Sequence, residues 1–315
     1  MQSQLPIWLS EAIEAEIHGV SGRALAAEYA GLSHAYREGL PSKSQGDLKL
    51  YWLAYLVGRM PATYAAVQAA LRQLPVPLIQ DCESLLDLGA GPGTASWVAA
   101  HYLPGLTSSH AIELNADAIA LGEKLSLAAP LKPRFERADL KHAIKNAPEA
   151  DLVILSYTAI EVGAGILEAA AAKAKKLFLL VEPGTPAGFK IILEARQKIS
   201  GLVAPCPQRG DCPLATVDGK WCHFSARLER NRMAKLLKGG DLGYEDEKFS
   251  YAAFSKASAS PAAGASRIIG FPQKSEGRIQ FDLCSPQGLE KPAISKFDKA
   301  LYKKAKKAEW GELWP

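Results

Sequence analysis

Leu85-Leu86-Asp87-Leu88-Gly89-Ala90-Gly91-Pro92-Gly93-Thr94 decides how the rest of the chain is read, because a short apolar strand runs straight into a loop with glycine at every second position. Glycine at such points lets the chain turn sharply, keeps side chains away, and brings backbone N–H groups up to a ligand at the start of the next helix. A nucleotide-like cofactor is the natural occupant. The dinucleotide fingerprint wants a third Gly or Ala three residues after the second glycine, and Thr94 stands there instead.

The stretch resembles the D-x-G-x-G-x-G loop of class I S-adenosylmethionine (SAM) methyltransferases, whose glycines face the methionine half of the cofactor. About 20 residues further on, where nucleotide folds keep a ribose-binding acid, Ala111-Ile112-Glu113 ends a second short strand. Glu113 is the residue expected to hold the ribose hydroxyls. Phe135 to Asp139 reads as a third strand whose terminal carboxylate accepts from the adenine amino group. The candidate cofactor set is therefore Asp87, Gly89, Gly91, Gly93, Glu113 and Asp139.

The chain has 315 residues, enough for one large or two modest domains. Its net charge of +4 is too small to imply nucleic acid by itself, yet it is unevenly spread. Lys220 to Lys238 holds six Lys/Arg against one Glu, and Lys291 to Pro315 holds seven Lys against three acids. Concentrated basic patches are what a phosphate-binding surface needs. No run approaches the roughly 18 apolar residues of a membrane helix, and the N-terminus lacks the basic start and apolar core of a secretion signal. A cytoplasmic protein without a membrane partner is expected. Five cysteines in a reducing compartment argue against disulfides and for metal or catalytic use where they cluster.

Residues 1–80 read as a helical N-terminal cap, with apolar residues at three- and four-residue steps and turn formers near Gly39 to Gly46. Pro61 stands where one helix must stop or kink. Residues 81–290 read as a methyltransferase-like domain, in which strands alternate with helices as a parallel Rossmann-like α/β sheet requires. Ligands in such sheets bind beyond the carboxyl ends of the strands. That rule puts Ser156-Tyr157-Thr158 and Glu182-Pro183-Gly184-Thr185-Pro186 at the rim of the cleft. Neither Asn-Pro-Pro-Tyr nor Asp-Pro-Pro-Tyr occurs, and no cysteine stands at a strand end to attack a pyrimidine. The sequence thus names no catalytic residue.

Residues 201–240 break the pattern as a Cys-rich insertion. Cys206, Cys212 and Cys222 fall within seventeen positions, and His223 follows. Thiolates gathered this closely are normally held by a metal or an iron-sulfur cluster. The fourth ligand is open between His223, which would suit zinc, and Cys284, which would suit a [4Fe-4S] cluster. Cys82 stands apart. Arg227, Arg230, Arg232, Lys235 and Lys238 have mostly helical spacing beside this loop and are candidates for phosphate contact. Ser255 to Ala265 reads as a loop. Arg267 to Phe271 and Arg278 to Cys284 read as a hairpin through Gly277 that completes the main sheet. Residues 291–315 form a basic C-terminal tail, with a lysine-rich helix over Phe297 to Trp310 and then Trp314, a mixture that suits RNA.

With these blocks in hand, the chain resembles the methyltransferase-like family associated with the small subunit of mitochondrial ribosomes, in its bacterial form. The resemblance rests on Arg59 to Val67, Leu86 to Thr94, Val181 to Phe189, Pro205 to Leu214, Trp221 to Ser225 and Leu242 to Phe254. It implies a class I SAM fold, a [4Fe-4S] cluster on Cys206, Cys212, Cys222 and Cys284, and association with the small ribosomal subunit and its 16S-type rRNA during assembly. The absence of an organelle-targeting extension fits a bacterial cytoplasm. Two alternatives stay open: an inactive SAM-fold assembly factor that only binds RNA, and a zinc-containing methyltransferase of a small molecule or protein.

Overall fold

A computed structural model describes residues 3–38, 47–208, 210–230, 232–239, 242–257 and 265–315. The turn expected over Gly39 to Gly46 and most of the loop expected over Ser255 to Ala265 lie outside the described residues.

The chain opens with helices α1 (Ile7–Glu16), α2 (Gly22–Glu38), α3 (Leu48–Gly58), α4 (Met60–Arg72) and the short α5 (Val76–Ile79). Asp47 caps α3 by accepting from the Lys49 and Leu50 N–H groups at 2.9 and 3.3 Å. Pro61 sits in the first turn of α4, where its missing N–H has no helical partner to lose. The alternating part follows as β1 (Ser84–Leu88), α6 (Thr94–Tyr102), β2 (Ser108–Glu113), α7 (Ala116–Leu125), β3 (Arg134–Arg137), α8 (Leu140–Ala143), β4 (Ala150–Ser156), α9 (Ala159–Val162), α10 (Leu167–Ala172), β5 (Ala174–Pro183) and α11 (Pro186–Lys198). Next come β6 (Leu202–Ala204), β7 (Phe224–Glu229), α12 (Arg232–Lys238) and β8 (Tyr244–Ser255).

The large sheet runs β3-β2-β1-β4-β5-β8-β6, with β7 also on β8. The pairs from β3 through β5 are parallel, and β8 runs antiparallel between β5 and β6. This is the class I SAM methyltransferase fold. Strands buried on both faces must be apolar at successive positions. Leu85, Leu152, Ile154, Leu177 and Leu179 join one core cluster, while Leu86, Leu88, Val153, Leu155, Phe178 and Leu180 join the other. The N-terminal helices belong to the first cluster, on the face that carries α6. Trp8 of α1 meets Trp97 of α6 edge-on, ring centroids 5.6 Å apart.

The remaining segments are β9 (Ser266–Ile268), β10 (Gln273–Ser275), β11 (Arg278–Gln280), β12 (Leu283–Ser285), β13 (Gly288–Glu290), β14 (Ala293–Ser295), α13 (Lys299–Ala305) and β15 (Leu313–Trp314). They form two small sheets, β10-β11-β14 and β13-β12-β9-β15, around a cluster that includes Ile268, Ile279, Phe281, Leu283 and Trp314. This corrects the hairpin expected to complete the main sheet. The hairpin through Gly277 joins β10 to β11, and β9 pairs with β12 instead. The outer edge of β8 is already taken, by β6 along Ala253 and Phe254 and by β7 along Tyr244 to Phe249. The segment read as an insertion thus supplies two edge strands, and the cysteine loop is the excursion between them.

Two basic features are corrected as well. Arg227 lies on a strand with period-two burial, not a helix, and binds Asp246 through two nitrogens at 2.7 and 2.8 Å. Arg230 and Lys238 both meet Glu245. Trp314 is 4 % exposed and packs on Phe281, so no base can stack on it. Among the described residues no helix is long and apolar enough to cross a membrane.

Candidate cofactor and metal sites

The glycine loop lies where β1 hands over to α6. Gly89 and Gly91 adopt φ of +68° and +55°, the left-handed region that favours glycine. A Cβ on Gly89 would stand 2.3 Å from Thr158 Oγ1, so this glycine is also fixed by close packing. Asp87 is fully buried beneath the loop, and its Oδ2 accepts from the Ser96 N–H and hydroxyl at 3.0 and 2.8 Å. Burial pushes its carboxyl up to about 6. Asp87 therefore anchors the start of α6.

Glu113 ends β2 and turns back over the loop. Its Oε2 accepts from the Gly91 N–H at 2.8 Å, and its Oε1 accepts from the Leu114 and Asn115 N–H groups, each at 2.8 Å. The glycine loop and Glu113 are thus in direct contact. Asp139 lies two residues beyond β3. It caps α8, accepting from the Lys141 N–H at 2.9 Å, and is partly exposed.

Residues that sequence reasoning assigned to packing cover the loop. Ala90 to Thr94 are buried beneath α3 and α4, with Trp52 3.8 Å and the Tyr55 hydroxyl 4.0 Å from where a Gly91 Cβ would sit. The Tyr55 hydroxyl interacts weakly with Thr94 and Thr63, though neither contact closes to a full hydrogen bond. Trp52 Nε1, Thr63 Oγ1 and Thr94 Oγ1 are buried with no hydrogen-bond partner among the described residues. Buried polar atoms are normally satisfied. Unanswered donors and acceptors gathered over a glycine loop are what a polar ligand segment would satisfy.

At the end of β4, Tyr157 adopts φ of +56° and donates its hydroxyl to Glu247 at 2.9 Å. Arg59, between α3 and α4, grips the same carboxylate at 2.9 and 3.3 Å. Cap, β4 and β8 are therefore joined at the rim, where an acceptor would enter. Glu182, near the end of β5, is fully buried and accepts from the Ala159 N–H at 2.9 Å, while its Oε2 has no partner among the described residues. Burial raises its carboxyl to about 8. The sequence puts Tyr157 at this rim, while Arg59 and Glu247 stand in it only within the Arg59 to Val67 and Leu242 to Phe254 blocks.

The cysteine loop is tied to that rim. Trp221 Nε1 donates to the Gly184 carbonyl at 2.8 Å, and the Ser250 hydroxyl donates to the Cys222 carbonyl at 2.7 Å. Cys284, on β12, comes up to the same loop, since Gln208 reaches its Sγ at 3.9 Å. The thiols stand near enough that the charges of Cys206, Cys212 and Cys284 act on Cys222. Burial pushes the Cys206 thiol up to about 12 and raises Cys222 and Cys284 as well. The Nδ1 of His223 meets the Trp221 carbonyl at 3.1 Å, and its ring packs against Trp221 and Trp310. Cys82 points to the Leu78 carbonyl, away from the group. Among the described residues no set of three or more His, Cys, Asp or Glu side chains stands in metal-holding geometry.

A family model described as Rsm22, the mitochondrial small ribosomal subunit Rsm22, matches residues 50–315. The chain belongs to this family. It is 25 % identical over 292 residues to the human mitochondrial ribosome assembly protein METTL17, covering 84 % of this chain and 62 % of that protein. It is 23 % identical over 239 residues to the Saccharomyces cerevisiae mitochondrial ribosome assembly protein RSM22, covering 43 % of this chain and 38 % of that one. The Rsm22-family chain thus spans about three fifths of its human relative. Likeness to solved structures is distant, as with the magnesium protoporphyrin IX methyltransferase from Synechocystis, at a TM-score of 0.40 and 12 % identity over 81 % of this chain and all of that one. Strand order and direction within the chain itself carry the fold.

Proposed function

We propose that this Rsm22-family chain binds SAM and acts in assembly of the small ribosomal subunit, contacting its rRNA and holding a [4Fe-4S] cluster on Cys206, Cys212, Cys222 and Cys284. The observation that carries the cofactor half is the contact of Glu113 with the Gly91 N–H beneath the unanswered Trp52, Thr63 and Thr94 atoms. Adenosine would lie along Glu113 and Asp139, and the methionine half under α3 and α4.

Donor chemistry supports the cluster. Four thiols from two distant segments lie within electrostatic reach of one another. One zinc ion would need its four donors drawn to about 2.3 Å. A thiolate set spread wider than that suits a four-iron cluster better. The ribosomal partner is supported by family membership and by the C-terminal unit. Lys296, Lys299, Lys303, Lys304, Lys306 and Lys307 are all exposed there, and Phe297 beside them is 88 % exposed and free to stack on a base.

The Arg59–Glu247–Tyr157 junction favours a second reading, in which SAM only stabilises a form that docks on the subunit. That ion pair occupies the place an acceptor would take. The two readings separate when anaerobically purified protein is given labelled SAM and small subunits from a strain lacking it. Methyl transfer supports an enzyme, and binding without transfer supports the docking module. Failure to bind either SAM or the subunit would overturn both.

A further inference from the structure

Among the described residues, two guanidinium groups abut the cysteine loop without any carboxylate to answer them. Arg267 is only 4 % exposed, and its donors go to the Pro205 carbonyl at 2.9 Å, Gln73 Oε1 at 2.6 Å and the Gly311 carbonyl at 2.7 Å. Arg196, on α11, meets Cys206 Sγ and the Gly210 carbonyl. All of these acceptors are neutral, the thiol included. A buried ion without a counter-charge is costly, by several kcal/mol even after relaxation; Arg267 is in that position, and half-buried Arg196 shares it in part.

The balancing charge lies beside them. Arg267 faces Cys284 directly across the β9–β12 pair. Pro205, which it holds, precedes Cys206. Both arginines act electrostatically on Cys206 and on Cys284. Four thiols are neutral, but four thiolates around a [4Fe-4S] core of charge +2, or around one Zn²⁺, carry −2 in total. Two guanidiniums cancel that charge. Cysteine gives up its thiol proton on binding a metal, so the arginines gain their counter-charge with the metal centre.

We propose that Arg267 and Arg196 are the built-in counter-charges of a dianionic metal–thiolate centre, and that Arg267 makes the docking of the C-terminal unit and of α4 depend on it. The proposal rests on the reading that Cys206, Cys212, Cys222 and Cys284 hold a metal centre. The dependence follows from where Arg267 reaches. Gln73 is the residue that ends α4, and Gly311 precedes β15. One side chain thus bonds the helical cap, the cysteine loop and the C-terminal unit. A lysine cannot replace it, since a point charge lacks the planar fork that serves three acceptors at once.

The test compares anaerobically purified wild type with Arg267→Gln, Arg267→Lys and Arg196→Gln. Iron, sulfide and zinc per chain, the midpoint potential of any cluster, the rate of metal loss to a chelator, and amide exchange of residues 265–315 are measured. In Arg267→Gln the potential moves to more negative values, because a reduced centre gains a charge that the missing cation no longer offsets. Metal is lost faster, and the C-terminal amides exchange at least tenfold faster than in wild type. Arg196→Gln, at a half-buried helix position, moves the potential and the metal loss in the same direction while leaving C-terminal exchange near wild type. It keeps the charge argument testable if Arg267→Gln does not fold. A wild type holding neither iron nor zinc would overturn the metal reading, and this inference with it. A fully loaded wild type whose arginine variants keep its potential, retention and exchange would overturn this inference alone.

Discussion

The glycine loop and the cysteine loop lie on one sheet, yet one is closed without its guest and the other is not. Around the glycine loop the charged groups find neutral donors within a short stretch of chain: Asp87 takes Ser96, and Glu113 takes Gly91, Leu114 and Asn115. Among the described residues, the partnerless atoms there are on Trp52, Thr63 and Thr94, together with Asp87 Oδ1, whose carboxyl is already held through its other oxygen. Around the cysteines, two guanidiniums wait for an anion. An unanswered hydroxyl costs far less than an unanswered ion. The first site should therefore tolerate an empty state that the second should not.

The largest expected effect tests this contrast directly. Stripping the metal with a chelator under anaerobic conditions lowers unfolding free energy by several kcal/mol, the order set by buried ions left without counter-charge. Removing SAM costs less, since a ligand at a hundred times its dissociation constant adds only about 2.7 kcal/mol by mass action. Thermal unfolding of four samples, with and without each guest, checks it. Equal losses on the two sides would break the comparison.

A smaller effect separates glycines within the loop. Gly89→Ala forces a left-handed alanine and drives its Cβ into Thr158, itself buried and bonded to the Ser156 carbonyl. The expected loss is about 3 kcal/mol. Gly91→Ala meets nothing nearer than 3.8 Å, so only the backbone conformation is penalised, by about 1–2 kcal/mol. Its methyl would nevertheless project towards Trp52 and Tyr55, into the space assigned to the methionine half. Gly91→Ala should therefore weaken SAM binding more than stability, and Gly89→Ala the reverse. Calorimetric titration beside denaturant unfolding reads both.

What was legible follows the same division. The strand, the glycine spacing and Glu113 could be read because one local unit, strand-turn-helix, fixes them all, and the structure brings Glu113 onto the loop. Asp139, expected to end a strand, instead caps α8 two residues beyond β3, and Asn115 caps α7. The sheet edge was misjudged because β6 and β7 are separated by the cysteine loop, and neither alternation nor composition shows that two short strands will share one partner. Arg267 was invisible for a stronger reason. An arginine on a three-residue strand reads as solvent-facing until β9 pairs with β12 and Gln73, Pro205 and Gly311 close over it. Long-range charge balance has no periodicity to detect.

The smallest expected effect concerns pH and isolates the rim from the cysteines. Glu182 titrates near 4.5 in an unfolded chain and, by burial, near 8 in the folded one. Between those values the native state keeps a proton that the unfolded state has released, so stability falls as pH rises through this window and levels off above about pH 8. Asp87 adds the same sign of dependence only up to about 6. Between pH 6 and 7 Glu182 is thus the main rim contributor, at about 1.4 kcal/mol per pH unit. Glu182→Gln retains an oxygen for the Ala159 N–H and removes the titration. Its stability relative to wild type should rise over that interval by about that amount. Thiolates held by metal do not take up protons there, so chelated and loaded samples should show the same Glu182→Gln difference. A difference that vanished on chelation would mean that the Trp221–Gly184 and Cys222–Ser250 bonds carry the state of the metal site into the rim, and the two regions would have to be treated as one.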